Sequence, residues 1–191
     1  MIVDMVMKNR SYRRFQQEVS IDLDTLKELV ELARLSASGG NRQPLKYMLS
    51  CSVEKNAQVF SCLSWAASLK DWDGPVEGER PSAYITLLCE TEISNAVAYD
   101  SGIAAQSILL GAVENGLGGC MLGPVDRKNI NPLLGIGSRY EIPLVIALGK
   151  PKEKVIVETV GPDGATKYWR DKEGVHHVPK RAMADIIEWS N

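Results

Sequence analysis

Ser82-Ala83-Tyr84-Ile85-Thr86-Leu87-Leu88-Cys89 is rich in β-forming residues and almost wholly apolar. A strand with one wet face alternates apolar and polar residues, so a run without that alternation is expected in the middle of a sheet covered on both faces. Downstream, Ala96 to Asn115 is the longest helix candidate and is apolar almost all round. Its small residues Ala98, Gly102, Ala105 and Ala112 are expected to line one seam of close contact, in a core or a subunit interface. Gly116-Leu117-Gly118-Gly119 ends that helix, Cys120 to Leu122 resumes apolar character, Asp126 can cap a short helix, and Ile142 to Leu148 is a further buried strand.

Upstream, a short N-terminal helix is followed by Asp22, which can cap a helix whose Leu23, Leu26, Leu29, Val30 and Ala33 keep to one face. That helix stops in Ser36 to Gly40, and Pro44 forbids another through the turn. Leu45 to Ser52 reads as a strand and Glu54 to Leu63 as a short helix. Trp65 to Pro81 carries Trp72, Gly74, Pro75 and Gly78 and reads as a long surface loop. From Lys150 the chain turns polar and extended, closing with an amphipathic run from Met183 to Trp189. This tail is expected to wrap a neighbour instead of building a core of its own.

The 191 residues, 45% hydrophobic and 24% charged, suit one domain spanning 1–191 with a sizeable core. Lys and Arg number 22 against 24 Asp and Glu, a net charge of −2, so no bulk field favours nucleic acid or an anionic membrane. No run approaches the roughly 18 to 20 apolar residues of a membrane span, and the N-terminus lacks signal-peptide order, so a cytoplasmic protein is expected. Cys51, Cys62, Cys89 and Cys120 lie too far apart for a metal knuckle or a CxxC motif and read as reduced thiols.

Four segments carry chemistry. Arg10-Ser11-Tyr12-Arg13-Arg14-Phe15 packs guanidinium forks and a hydroxyl suited to a phosphate or the carbonyl edge of a heterocycle, or else forms a solvated basic patch. Ser38-Gly39-Gly40-Asn41-Arg42-Gln43-Pro44 offers neutral donors in a glycine-rich loop, or simply stops a helix. Gly116 to Gly123 is not a dinucleotide fingerprint, because Met121 stands where GxGxxG needs glycine and the segment follows a helix. Val178-Pro179-Lys180-Arg181 places two cations near the end of the sequence. His176 and His177 point to opposite faces of an extended segment, unsuited to chelating one ion, and neither is expected to be placed for catalysis.

Taken in order, these segments resemble the nitroreductase family of FMN-dependent oxidoreductases over nearly the whole chain. The likeness lies in Arg10 to Phe15, in the small-residue loop and Asn-x-Gln-Pro of Ser38 to Pro44, and in the Gly-Leu-Gly turn leading to Gly123. It also lies in Asp100, Gly102, Ala104 and Gln106 of the long helix, and in a tail running from Lys167 to Arg181. The pattern departs at Asn9, where a second basic residue is usual, and at Leu45, where an aromatic usually follows Gln-Pro.

The resemblance implies an α+β fold, a three-layer sandwich with a mostly antiparallel central sheet flanked by helices. It implies a homodimer with FMN at the interface and residues 150–191 extending over the partner. Arg10 and Ser11, with Lys180 or Arg181, would bind the phosphate, and Arg13 would reach the flavin N1 and O2 edge. Ser38 and Asn41 would reach the partner's cofactor, and Leu122, Gly123 and Pro124 would present backbone near N5. Trp65, Ala66 and Trp72 are candidates for covering the ring. NADH or NADPH would donate hydride, and an electron-poor small molecule, a nitroaromatic or quinone, would accept it. A flavin storage or sensor module is the competing function, and reductive dehalogenation or flavin fragmentation are competing reactions on the same fold.

Overall fold

The computed structural model describes residues 1–69, 71–94 and 98–189. In chain order, α1 spans Ile2–Lys8, β1 Phe15–Gln16, α2 Leu23–Arg34, β2 Leu45–Ser50 and α3 Val53–Phe60. Then come β3 (Ala83–Glu90), α4 (Ala98–Glu114), β4 (Gly118–Leu122), α5 (Arg127–Leu134), β5 (Tyr140–Glu141) and β6 (Val145–Pro151). The tail adds β7 (Val155–Thr159), β8 (Trp169–Arg170) and β9 (His176–Lys180). Ala96 and Val97, where the sequence starts the long helix, and Lys70 of the long loop lie outside the described residues.

The larger sheet runs β1-β6-β3-β2, with β4 on β6 and β5 on β3, every pairing antiparallel. β3 is central, and its apolar run divides cleanly by parity. Ile85 and Leu87 face a core built with Leu26 and Leu29 of α2 and Ala105, Ile108 and Ala112 of α4. Tyr84 and Leu88 face a second core with Val59 of α3, Ile130 of α5 and Cys120 and Leu122 of β4. Helices therefore cover both faces, and the fold is α+β in three layers. Each fully buried Leu or Ile on β3 contributes about 1.5–3 kcal/mol of transfer free energy, so both layers hold this strand.

The helix caps follow the local chemistry. Asp22 accepts from the Thr25 N–H at 2.7 Å, and Asp126 from the Asn129 N–H at 3.2 Å. α4 ends in a Schellman turn, Leu117 N–H to Ala112 O at 2.7 Å and Gly116 N–H to Val113 O at 3.0 Å, with Gly116 at φ 67°. That turn drops the chain directly into β4.

Four expectations change. The strand read from Ile142 starts at Val145, because Pro143 has no N–H for the ladder, although Ile142 itself is buried. The small-residue seam of α4 splits: Ala105 and Ala112 are buried in the first core, whereas Ala98 and Gly102 are exposed. The close approach is at Gly111 instead, where a Cβ would stand 2.3 Å from Leu32 Cδ1 of α2. In the Trp65–Pro81 loop, Trp65, Ala66 and Glu79 are buried, so it is not wholly a surface loop. Finally, the tail builds a sheet of its own, β7-β9-β8, in which β7 and β9 run parallel. No helix among the described residues is long and apolar enough to cross a membrane.

Candidate functional site

After α1 the backbone turns extended at Asn9. The Arg10 guanidinium folds back and donates to Val6 O at 2.8 Å and Asn9 O at 2.7 Å, satisfying carbonyls that the helix end leaves open. Ser11 then bridges to Gly119 of β4, and the Tyr12 N–H donates to Gly119 O at 3.0 Å. A Cβ on Gly119 would stand 2.5 Å from Ala147 O and 2.6 Å from Leu109 Cδ2, so only glycine lets β4 sit between β6 and α4. Gly119→Ala is expected to cost roughly 1–3 kcal/mol of stability in urea denaturation, since a backbone oxygen cannot move aside.

The next two residues are held by a carboxylate that no pattern in the sequence marks. Glu153, its side chain 1% exposed, accepts from the backbone N–H groups of Arg13 and Arg14 and from Arg170 Nη2 at 2.9 Å. Arg14 turns away from its neighbours and makes a two-bond pair with Glu79, which Lys152 also meets at 3.2 Å. The Arg14 hydrogen bonds, with Lys152, pull the Glu79 carboxyl down to about 2. Phe15 is fully buried. Of the basic run, Arg10 and Arg13 remain for a site.

Both line a cavity of about 680 Å³, together with Ser11, Lys180 and Arg181. The tail sheet forms the opposite wall. Arg13 is 8% exposed; its Nη1 donates to Ser11 O at 3.2 Å and lies 3.3 Å from His176 Nε2. The Tyr168 ring lies under the guanidinium at 4.6 Å, and Arg13 Nε is buried with no partner among the described residues. Four cations around one opening make this a local positive site on a chain of net charge −2.

One of the two histidines, His176, stands in that wall. It is 1% exposed and lines the same cavity. Burial, then the charges of Arg13, Arg170 and His177, push its pKa down to about 4, so it is neutral at pH 7. His177, on the other face of β9, stacks on Trp169 at 3.9 Å and meets Glu158 and Asp171 through its two ring nitrogens, both at 3.1 Å. Those carboxylates raise its pKa.

The remaining expected site residues lie elsewhere. Ser38 lines a smaller cavity of about 200 Å³ beside α4, where its Oγ donates to Asp100 Oδ2 at 2.6 Å and the Gly39 N–H to Oδ1 at 2.9 Å. Asn41 is exposed at φ 52°, next to Gly40 at 58°. Leu122 is buried in the second core, while Gly123 and Pro124 are exposed just beyond β4; none of the three lines the large cavity. Trp65 packs into the second core beside Phe60, and Trp72 lies under Arg170 at 4.8 Å.

A family model described as the nitroreductase family matches residues 6–78 and 89–150. The chain belongs to the nitroreductase family. Membership places it among oxidoreductases at the level of the family. An Archaeoglobus fulgidus protein assigned as an NADH dehydrogenase/NAD(P)H nitroreductase is 25% identical over 158 residues, 78% of this chain and 85% of that one. Among solved structures, an FMN-dependent nitroreductase from Clostridium difficile R20291 superposes with a TM-score of 0.71 at 19% identity, over 99% of each chain. A nitroreductase family protein from Streptococcus pneumoniae TIGR4 gives 0.70 at 18% identity, over 85% of this chain and 96% of that one. The matched family residues stop at 150, so His176, Lys180 and Arg181 come from the part of this chain beyond them.

Proposed function

We propose that this protein is an FMN-dependent oxidoreductase that takes hydride from NADH or NADPH and passes it to an electron-poor acceptor such as a nitroaromatic or quinone. The observation that carries this reading is the cavity where Arg10, Ser11 and Arg13 meet Lys180 and Arg181. Its donor set fits FMN: clustered cations and a hydroxyl suit a phosphate, and the unpartnered Arg13 Nε is a buried donor that lacks an acceptor. When bound, FMN supplies the hydride-accepting and hydride-donating chemistry.

The chain's residues do the rest. Arg10, Ser11, Lys180 and Arg181 hold the phosphate, and Arg13 places fixed positive charge at the ring edge that becomes electron-rich on reduction. From Gly119, which Ser11 abuts, β4 runs to Leu122 about 10 Å farther on at strand rise, with Gly123 and Pro124 just beyond, a span that separates phosphate contacts from ring contacts. Ser38 and Asn41, in a loop fastened by Asp100, serve the partner's site in a homodimer. Support for that dimer is apolar surface without cover: Tyr99 and Ile103 on α4 are 84% and 41% exposed, and Met183, Ile186 and Trp189 in the tail are 66%, 57% and 84% exposed. Because β7, β8 and β9 pair within their own chain and Arg181 lines this chain's cavity, the stretch left to extend over a partner lies beyond Arg181. We take residues 1–191 as one domain of a cytoplasmic protein.

Purified protein, reconstituted with FMN if colourless, is expected to retain flavin and to bleach when NADH or NADPH is added without oxygen. Flavin that stays oxidised would favour a storage or sensor module, and failure to bind FMN would remove the cofactor reading. A Lys180→Ala/Arg181→Ala variant is expected to bind FMN about tenfold more weakly or worse, with a shallower salt dependence. Unchanged affinity would take the tail out of the phosphate site.

A further inference from the structure

A guanidinium only donates hydrogen bonds, so the 3.3 Å contact between Arg13 Nη1 and His176 Nε2 requires a bare Nε2. The imidazole proton must then sit on Nδ1, and Nδ1 is itself buried with no partner among the described residues. The Arg13 contact thus imposes a tautomer that the surroundings of Nδ1 do not reward. The ring is held in place: it is 1% exposed, and Tyr168 lies against it at 5.1 Å, tilted by 44°. The same Tyr168 lies under the Arg13 guanidinium. Protonating the ring would bring a like charge against Arg13, with Arg170 and His177 also near, which agrees with its lowered pKa.

We propose that His176 is a positioning residue for Arg13: a bare Nε2 accepts one N–H from Nη1, Ser11 O takes the other, and among the described residues the guanidinium is left with Nε and Nη2 as its uncommitted donors. Between these two acceptors and the Tyr168 face, the fork has one orientation. The reading of the cavity as an FMN site gives this positioning its use, but the hydrogen bond and its tautomer stand on this chain alone.

The test has two arms. In apoprotein labelled with ¹⁵N-histidine at pH 7, His176 is expected to show a protonated Nδ1 and a bare Nε2. An Nε2–H tautomer or an imidazolium overturns the proposal, because neither can accept from Arg13. FMN is then titrated into wild type, H176Q and H176F, each checked by thermal melting, with flavin fluorescence as the readout. H176Q keeps an acceptor near the Nε2 position and is expected to bind within about threefold of wild type. H176F keeps a ring against Tyr168 but accepts nothing, and its Kd is expected to rise about tenfold or more. Wild-type affinity in H176F overturns the positioning role. If H176F does not fold, the tautomer decides. If wild type binds no FMN, the proposed function fails, while an Nδ1–H tautomer still supports the positioning of Arg13.

Discussion

Replacing Glu153 by alanine is expected to remove about 3–5 kcal/mol of folding stability, read as the shift in urea midpoint at constant slope. The carboxylate is almost fully enclosed and serves two backbone N–H groups and Arg170 at once. Taking it away strands a guanidinium that is itself 16% exposed and leaves the Arg13 backbone without its anchor. Glu153→Gln keeps one oxygen for the N–H groups but not the charge, so it should fall between alanine and wild type. The alanine variant should also lose ligand affinity at the cavity, because Arg13 is fastened through this carboxylate. A loss near 1 kcal/mol would mean that Arg170 finds water or another acceptor and that Glu153 is not the pin.

Stability is expected to rise with pH between about 4 and 6.5, with His176 responsible for about 3 kcal/mol of that rise. In this window the unfolded chain binds a proton that the folded chain refuses, so acid favours unfolding. His177 has the opposite sense. Its folded pKa is raised by Glu158 and Asp171, so its contribution is full below the unfolded value near 6.5 and is lost as pH rises through the folded one. Asp171, lowered chiefly by the His177 hydrogen bond, contributes above its unfolded value and fades in acid. Urea midpoints across pH for wild type, H176Q and H177Q separate these terms. H176Q should flatten the limb between about 4 and 6.5 and H177Q the decline on the alkaline side. An acid limb unchanged in H176Q would show that His176 is not the group titrating there.

Much of this fold was readable because its signals are local. Asp22 and Asp126 announce caps, Gly116 announces a helix end, and Ser82 to Cys89 announces a strand covered twice. The errors arise where a distant partner decides. Periodicity put Ala98, Gly102, Ala105 and Ala112 on one stripe of α4, but it could not say that the stripe leaves the core halfway along. Arg10, Arg13 and Arg14 looked alike, and Glu79, far along the chain, removes Arg14 from the site. The tail strands were readable as extended chain. Their parallel pairing of β7 with β9 was not, because it joins segments that are not neighbours in sequence.

The site shows the same division. Arg10, Ser11, Arg13, Lys180 and Arg181 were singled out by their chemistry and grouped by the family resemblance, and the fold brings them to one cavity. Ser38 lines a different cavity and Asn41 is exposed, so the fold does not bring them to the same opening. His176 and Glu153 escaped because one acid in a turn and one of two adjacent histidines have no repeat or spacing to mark them. Alternation along β9 does separate the two histidines, and the buried face could have been suspected of meeting a polar group.

The Arg13–His176 contact joins residues 163 positions apart, and Arg13–Glu153 joins residues 140 apart. During synthesis, then, the wall carrying Arg10 to Arg13 is made first and stays unfinished until residues through Arg181 have left the ribosome. The central sheet is complete once β6 has emerged, well before the cavity exists. A chain cut short after β6 would carry every strand of the central sheet yet lack one wall of the cavity, so ligand uptake would report that translation had run through the tail.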